Sequence, residues 1–188
     1  MDIFTAFGLS ASAGLNAYIP LLVVALLARF SDLIELNSPW DVLSSWWVIG
    51  FLVVLSIIEF FADKIPVVNH VNDIIQTFVR PIAGAIIFAA SAQVITKIHP
   101  ILSMLAGLFV AGGVHTAKAV AVRPAVTATT SGGGNVIISV VEDIISTLIS
   151  ILAVVIPVFI AAAVILMTSW LIFWLWRRAN RERLDSIW

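Results

Sequence analysis

Glu59, Asp63, Lys64, Asp73 and Arg80 fall in one stretch of an otherwise apolar sequence. His115, Lys118, Arg123, Glu142 and Asp143 fall in another. Charges at bilayer depth are costly, so those that persist pair with one another or line a path for an ion or polar substrate. Arg80, Lys118 and Arg123 have the chemistry to attract an anionic group. Glu59, Asp73 and Asp143 have the chemistry to balance charge or carry protons. His115 with Glu142 or Asp143 fits a proton relay, because imidazole titrates near neutrality. The plainer reading is a set of ion pairs and snorkelling side chains that pin helix ends, with His115 a hydrogen-bonded core histidine. His115 and Glu59 lie a turn or more inside their apolar runs, where solvation is poor. That position favours a polar cavity open to the cytoplasm.

A second candidate is the run Thr127-Ala128-Thr129-Thr130-Ser131-Gly132-Gly133-Gly134-Asn135, which follows a break at Arg123-Pro124 and precedes a helix. Backbone N–H groups and hydroxyls of Thr130, Ser131, Gly132, Gly133 and Gly134 could hold an anion there, aided by the helix dipole. The alternative is a flexible connection between helices. The run lacks the Gly-Lys-Ser/Thr ending of a nucleotide-binding loop.

Enzyme signatures are missing. Lys118, Arg123-Pro124 and Ser131-Gly132 superficially follow the order of membrane lipid phosphatases, but Gly133 stands where a histidine is needed and no histidine follows His115. No His-Glu-x-x-His and no Gly-x-Ser-x-Gly occurs. His70, His99 and His115 are too scattered for a metal site, and there is no cysteine. The expectation is a protein that is not an enzyme and needs no cofactor or metal. A net charge of −1 gives no basic excess for nucleic acid.

The elements that must position these groups are membrane helices. Of 188 residues, 61% are hydrophobic and only 11% charged, against roughly 25% charged in soluble domains. The mean hydropathy is +1.11. So little polar surface makes lipid the main solvent. The N-terminus lacks a basic region and an apolar core before its Ala-x-Ala-like stretch, so it reads as an uncleaved first span.

Spans of about 20 residues are expected at Phe4–Phe30, Trp46–Ala62, a third ending near Thr96, Ile101–Val122, Val136–Ile156 and Pro157–Trp176. In the first, Gly8, Ser12, Asn16 and Pro20 recur on one face. This is either a packing seam or the lining of a pathway, and Asn16 and Pro20 add a polar group and a local break. The fourth repeats the pattern with Ser103, Gly107, Ala111 and His115. The two halves, residues 4–96 and 101–176, would then be inverted three-span repeats.

Ser31–Ser45 is an acidic loop ahead of Trp46-Trp47, which reads as an interfacial belt. Ile65-Pro66 ends the second span, and Asn69 or Asn72 is placed to cap the next helix. Asp73, Gln76, Thr77 and Arg80 share a helical face, with Asp73–Thr77 and Gln76–Arg80 contacts in reach. Pro81 predicts a kink, or a surface helix before a short span. Lys97–Pro100 reads as a tight turn. Trp170–Trp176 with the basic run from Arg177 to Arg183 reads as an aromatic anchor and stop. Basic residues on one side place both termini in the cytoplasm and the Ser31–Ser45 loop outside, in a cell inner (plasma) membrane.

Gly14-Leu15-Asn16-Ala17-Tyr18 with Pro20, Ala62-Asp63-Lys64-Ile65-Pro66 with Asp73, Thr77-Phe78-Val79-Arg80-Pro81 with Gly84, His115-Thr116-Ala117-Lys118, and Glu142-Asp143 resemble the bacterial membrane family called domain of unknown function 4126. The likeness covers nearly the whole chain, and Thr127–Gly134 is richer in threonine and glycine than that pattern. The resemblance implies a small multi-span membrane protein and supplies no activity or catalytic residue.

The expected fold is thus an all-α membrane bundle of about six spans in a single domain, with a basic tail from 177. The expected function is a small secondary transporter or flippase for an anionic small molecule or lipid headgroup. Asn16 and His115 would face a midplane cavity. The alternatives are a non-catalytic scaffold or assembly subunit, and an oligomeric channel. The expected partners are the lipid bilayer and, through exposed Gly/Ala seams, a second copy as a homodimer.

Overall fold

The computed structural model describes residues 3–92, 99–130 and 134–185. Among these residues the regular structure is helical, without strands. In order come α1 (Ile3–Leu15), α2 (Tyr18–Phe30), a 3-10 turn (Trp40–Ser44), α3 (Trp46–Ala62) and α4 (Pro66–Ala92). Then follow α5 (Pro100–Ala117), a π turn (Lys118–Val122), α6 (Arg123–Thr130) and α7 (Gly134–Asp185). Val71–Ser91, Pro100–Thr130 and Gly134–Pro157 are long and apolar enough to cross a membrane. They point to a membrane protein. Large side chains such as Phe4, Trp47, Phe78 and Phe109 stand exposed, as they would against lipid. The chain divides at Val154/Val155 into two units. The second is the continuation of α7, on which Leu166, Trp170 and Phe173 are exposed.

The first apolar run is broken after Leu15. Pro20 has no N–H to give to the carbonyl of Asn16, and its ring crowds that carbonyl. Asn16 makes a second start possible: its Oδ1 accepts from Tyr18 N at 3.1 Å and Ile19 N at 3.0 Å. This is the bonding of a helix N-cap. The expected local break is therefore present, and it divides the run into α1 and α2.

α1 packs against α4 and α5, which also pack against each other. Small residues permit this. A side-chain carbon added to Gly84 would stand 2.8 Å from Gly107 O, and one on Gly14 would stand 2.6 Å from Val114 Cβ. Such contacts bring backbones together in lipid, where apolar burial drives little. Ser103, Gly107, Ala111 and His115 are the buried residues of α5, so the four-residue seam is a real packing face. On α1, Ser12 is buried and its hydroxyl meets Ser146 Oγ at 2.7 Å and Ser150 Oγ at 2.8 Å. Thr5 donates to Ala153 O at 2.8 Å. Hydroxyls thus join α1 to the first half of α7. α2 packs on α3 through a core that includes Val24, Ala25, Ile49 and Leu52.

The remaining prolines do not break their helices. Pro81 lies inside α4 and Pro157 inside α7. No boundary between a fifth and a sixth span falls at Ile156-Pro157, because one helix runs through it. Lipid offers a freed carbonyl no water, so keeping the helix is cheaper than opening it. Pro124 is accommodated differently. The preceding residues form a π turn in which Arg123 N–H bonds Lys118 O, five residues back. The expected break at Arg123-Pro124 is replaced by this one wide turn. Thr127–Thr130 is likewise helix, not loop. Thr129 Oγ1 donates to Ala125 O at 3.0 Å and Thr130 Oγ1 to Val126 O at 2.7 Å, so these hydroxyls serve their own helix.

α4 starts at Pro66, upstream of Asn69 and Asn72, so neither residue caps it. Pro66 instead occupies the first turn, where its missing N–H costs nothing. α5 is preceded by His99, whose Nδ1 accepts from Ile101 N at 3.3 Å. The remainder of the expected Lys97–Pro100 turn lies outside the described residues, as does the third span beyond Ala92.

Candidate functional site

The charged residues of the two stretches converge. α3 ends with Glu59 and its continuation Asp63, one turn apart on one face. α4 presents Asp73, Gln76, Thr77 and Arg80 on one face, as their spacing predicts. α5 and the π turn bring His115 and Lys118, α6 brings Arg123, and α7 brings Ser139, Glu142 and Asp143.

Arg80 is the buried centre, with 0% of its side chain exposed. Its Nη2 lies 2.9 Å from Glu59 Oε1 and 3.8 Å from Asp63 Oδ2. Its Nη1 is 3.5 Å from His115 Nδ1, and Thr77 Oγ1 is 3.3 Å from His115 Nε2. Asp63 also accepts from Asn72 at 2.6 Å and from Ser139 at 3.3 Å. Arg123 lies 3.8 Å from Asp63 and 3.9 Å from Glu142, and it bonds Asp73 directly. Lys118 Nζ is 2.6 Å from Glu142 and 3.3 Å from Leu15 O. Lys64 is 3.6 Å from Asp143 Oδ2.

The π turn explains why Lys118 and Arg123 share Glu142. Five residues of ordinary α-helix rotate about 500°, which would turn the two side chains well apart. An i→i+5 turn takes those five residues nearly once round, so both cations face α7. Glu142 and Asp143 are neighbours on α7 and point about 100° apart. Glu142 therefore meets Lys118 and Arg123, while Asp143 meets Lys64 and Asn16.

The Asn16–Asp143 contact, 3.0 Å from Nδ2 to Oδ1, lies at the broken helix. The C-terminal carbonyl end of α1 carries partial negative charge and receives Lys118. The N-terminal end of α2 carries partial positive charge and has the Asn16–Asp143 pair beside it. Beside this break lies a cleft of about 410 Å³, lined by Asn16, Ile19, Ser56, Phe60, Phe61 and Asp143 among others.

The expected site residues are thus largely brought together: Glu59, Asp73, Arg80, His115, Lys118 and Arg123 share one network, with Asn16 and Asp143 at its edge. The Asp73–Thr77 contact forms through the backbone, Thr77 Oγ1 donating to Asp73 O at 2.8 Å. Arg80 pairs with Glu59 of α3 in place of Gln76, since a buried cation is better served by a facing carboxylate than by an amide on its own helix. His115 does not line the cleft with Asn16; Arg80 and Thr77 hold it in the packed interior.

Of the expected anion loop, only the ends at Thr130 and Gly134 are among the described residues. Thr130 ends α6, and its hydroxyl accepts the Gly134 N–H at 2.9 Å, using a donor that an anion would need. Ser131, Gly132 and Gly133 lie outside the described residues. Sequence reasoning overlooked Asn72 and Ser139 as partners of Asp63, and Ser56 as a cleft residue. A polar residue four before Asp143, and one in the otherwise apolar α3, were the available signals. Among the described residues, no group of three or more His, Asp or Glu is arranged to hold a metal ion.

The family model described as Domain of unknown function (DUF4126) matches residues 3–178. The chain belongs to this family. No curated protein and no solved structure matches it. For this DUF4126 chain, the network joins several motif runs that carry the likeness: Ala62-Asp63-Lys64, Arg80-Pro81, His115 with Lys118, and Glu142-Asp143.

Proposed function

We propose that this DUF4126 chain is a small secondary transporter or flippase of the inner (plasma) membrane. It would be built around the two halves that the sequence pattern relates, 4–96 and 101–176, with both termini cytoplasmic. The observation that carries this reading is the discontinuous first helix, held at both facing ends by side chains of the second half. Lys118 takes the Leu15 carbonyl and Asp143 takes Asn16. Paired half-helix ends at a polar site are how carriers of this build hold substrate and coupling ion. Arg80, Lys118 and Arg123 are already engaged by carboxylates. An anionic small molecule or lipid headgroup would reach Lys118 and Arg123 by exchange with Glu142 or Asp73, and Arg80 by exchange with Glu59, and that exchange would be the gating step.

Proteoliposomes test the proposal in two arms, inward flip of a fluorescent anionic phospholipid and efflux of labelled organic anions. The expected result is protein-dependent flux in one arm, lowered at least tenfold by His115→Ala and Arg123→Ala. Absence of flux in both, or flux indifferent to both substitutions, overturns it. A second reading, a non-catalytic membrane scaffold, is favoured by one observation: each cation of the network already faces a carboxylate. It predicts no flux and a network that never admits water.

A further inference from the structure

The cleft beside the helix break has an unusual wall. Ile19, Ile57, Phe60 and Phe61 make it apolar, while two of its polar atoms, Ser56 Oγ and Asp143 Oδ2, are buried without a hydrogen-bond partner. The nearest cation to Asp143 Oδ2 is the Lys64 ammonium at 3.6 Å. That ammonium sits 3.2 Å from the centre of the Phe60 ring and donates to Phe60 O at 2.8 Å. The protein thus places a primary ammonium of its own against an aromatic face, a carbonyl and a carboxylate. Those are the groups that recognise an alkylammonium.

The geometry points to this cleft as a binding site for an amphiphile with a primary ammonium head and an apolar tail, with Lys64 as the internal group it displaces. The head takes Asp143 Oδ2, Ser56 Oγ and the Phe60 face. The tail lies along Ile19, Ile57 and Phe61, and the exposed sides of Ile57 and Phe61 leave the cleft open laterally for it. The charge fits: Asp143, Glu142, Asp73, Asp63 and Glu59 are five carboxylates facing four cations, Lys64, Arg80, Lys118 and Arg123. When Lys64 swings out to solvent, a cationic head restores the local balance. The site does not depend on transport, because binding alone is measured.

The test uses the full chain in detergent, with decylammonium as probe and decanol as its uncharged counterpart, followed by isothermal calorimetry. Decylammonium is expected to bind at least tenfold more tightly than decanol. Lys64→Gln removes the internal competitor and should tighten decylammonium binding about tenfold, a gain that a misfolded variant cannot imitate. Asp143→Asn should weaken it at least tenfold, and Phe60→Leu several-fold. In nanodiscs, competition by phosphatidylethanolamine but not phosphatidylcholine assigns the head to an aminolipid. Competition by neither assigns it to a free long-chain amine. Equal affinity for decylammonium and decanol, or unchanged affinity in Lys64→Gln, overturns the inference. Both results are readable even if flux assays find no transport.

Discussion

Removing Arg80 leaves Glu59 buried without its close cation, which makes the pair the sharpest probe of the network. The Glu59 side chain is 1% exposed and Arg80 0%, with 2.9 Å between them. Breaking a buried pair by deleting one partner costs about 3–5 kcal/mol, because the other charge remains desolvated. That is roughly a hundredfold to several thousandfold in the unfolding constant. Arg80→Gln should therefore lose about this much. Glu59→Gln should lose less, since Arg80 keeps Asp63 at 3.8 Å. The double variant Glu59→Gln/Arg80→Gln should recover most of the loss. Asp63 would still have Arg123, Asn72 and Ser139, and two neutral amides can bond each other. Unfolding in mixed micelles of rising denaturing-detergent fraction, followed by fluorescence of the tryptophans, measures all four proteins and closes a double-mutant cycle. A loss under about 1 kcal/mol for Arg80→Gln, or a double variant as unstable as the single, would refute the reasoning.

Other outcomes follow from the same geometry. Gly84→Ala should cost about 1–3 kcal/mol by forcing α4 from α5, whereas Gly113→Ala, with open space around it, should be neutral or slightly stabilising; thermal unfolding of the pair separates crowding from helix propensity. Asn16→Ala should cost about 0.5–2 kcal/mol as a lost cap, and infrared amide signals should report fraying at the start of α2. Lys118→Met should cost less than Arg80→Gln, about 1–3 kcal/mol, since Arg123 keeps Glu142 at 3.9 Å; adding Glu142→Gln should restore part of it, read in the same unfolding assay.

How much of this was legible in the sequence depends on the kind of signal. The seam at Ser103, Gly107, Ala111 and His115 could be read because close packing must repeat with the helix. The break at Asn16 could be read because Pro20 removes a particular donor. The shared face of Asp73, Gln76, Thr77 and Arg80 follows from spacing alone. Partner choice could not be read: Arg80 selects Glu59 from another helix, and sequence separation says nothing of that. Pro124 and Pro157 looked like boundaries, and Pro81 like a kink or the end of a surface helix, because water normally rescues a freed carbonyl, which lipid does not. Thr127–Thr130 looked like loop because hydroxyls usually draw the backbone away from helix. Here they bond the preceding turn instead. The π turn at Lys118–Val122 had one antecedent, Pro124, and its effect on Arg123 exists only in three dimensions.

Access of water to the network decides between a carrier and a scaffold most directly. The chain has no cysteine, so Ser139→Cys, buried beside Asp63, can be labelled alone in proteoliposomes with a membrane-impermeant thiol reagent. Ser146→Cys, buried and hydrogen-bonded in the α1–α7 seam, is the comparison. The carrier account predicts labelling at 139 and none at 146. Protection of both positions under every condition would contradict it.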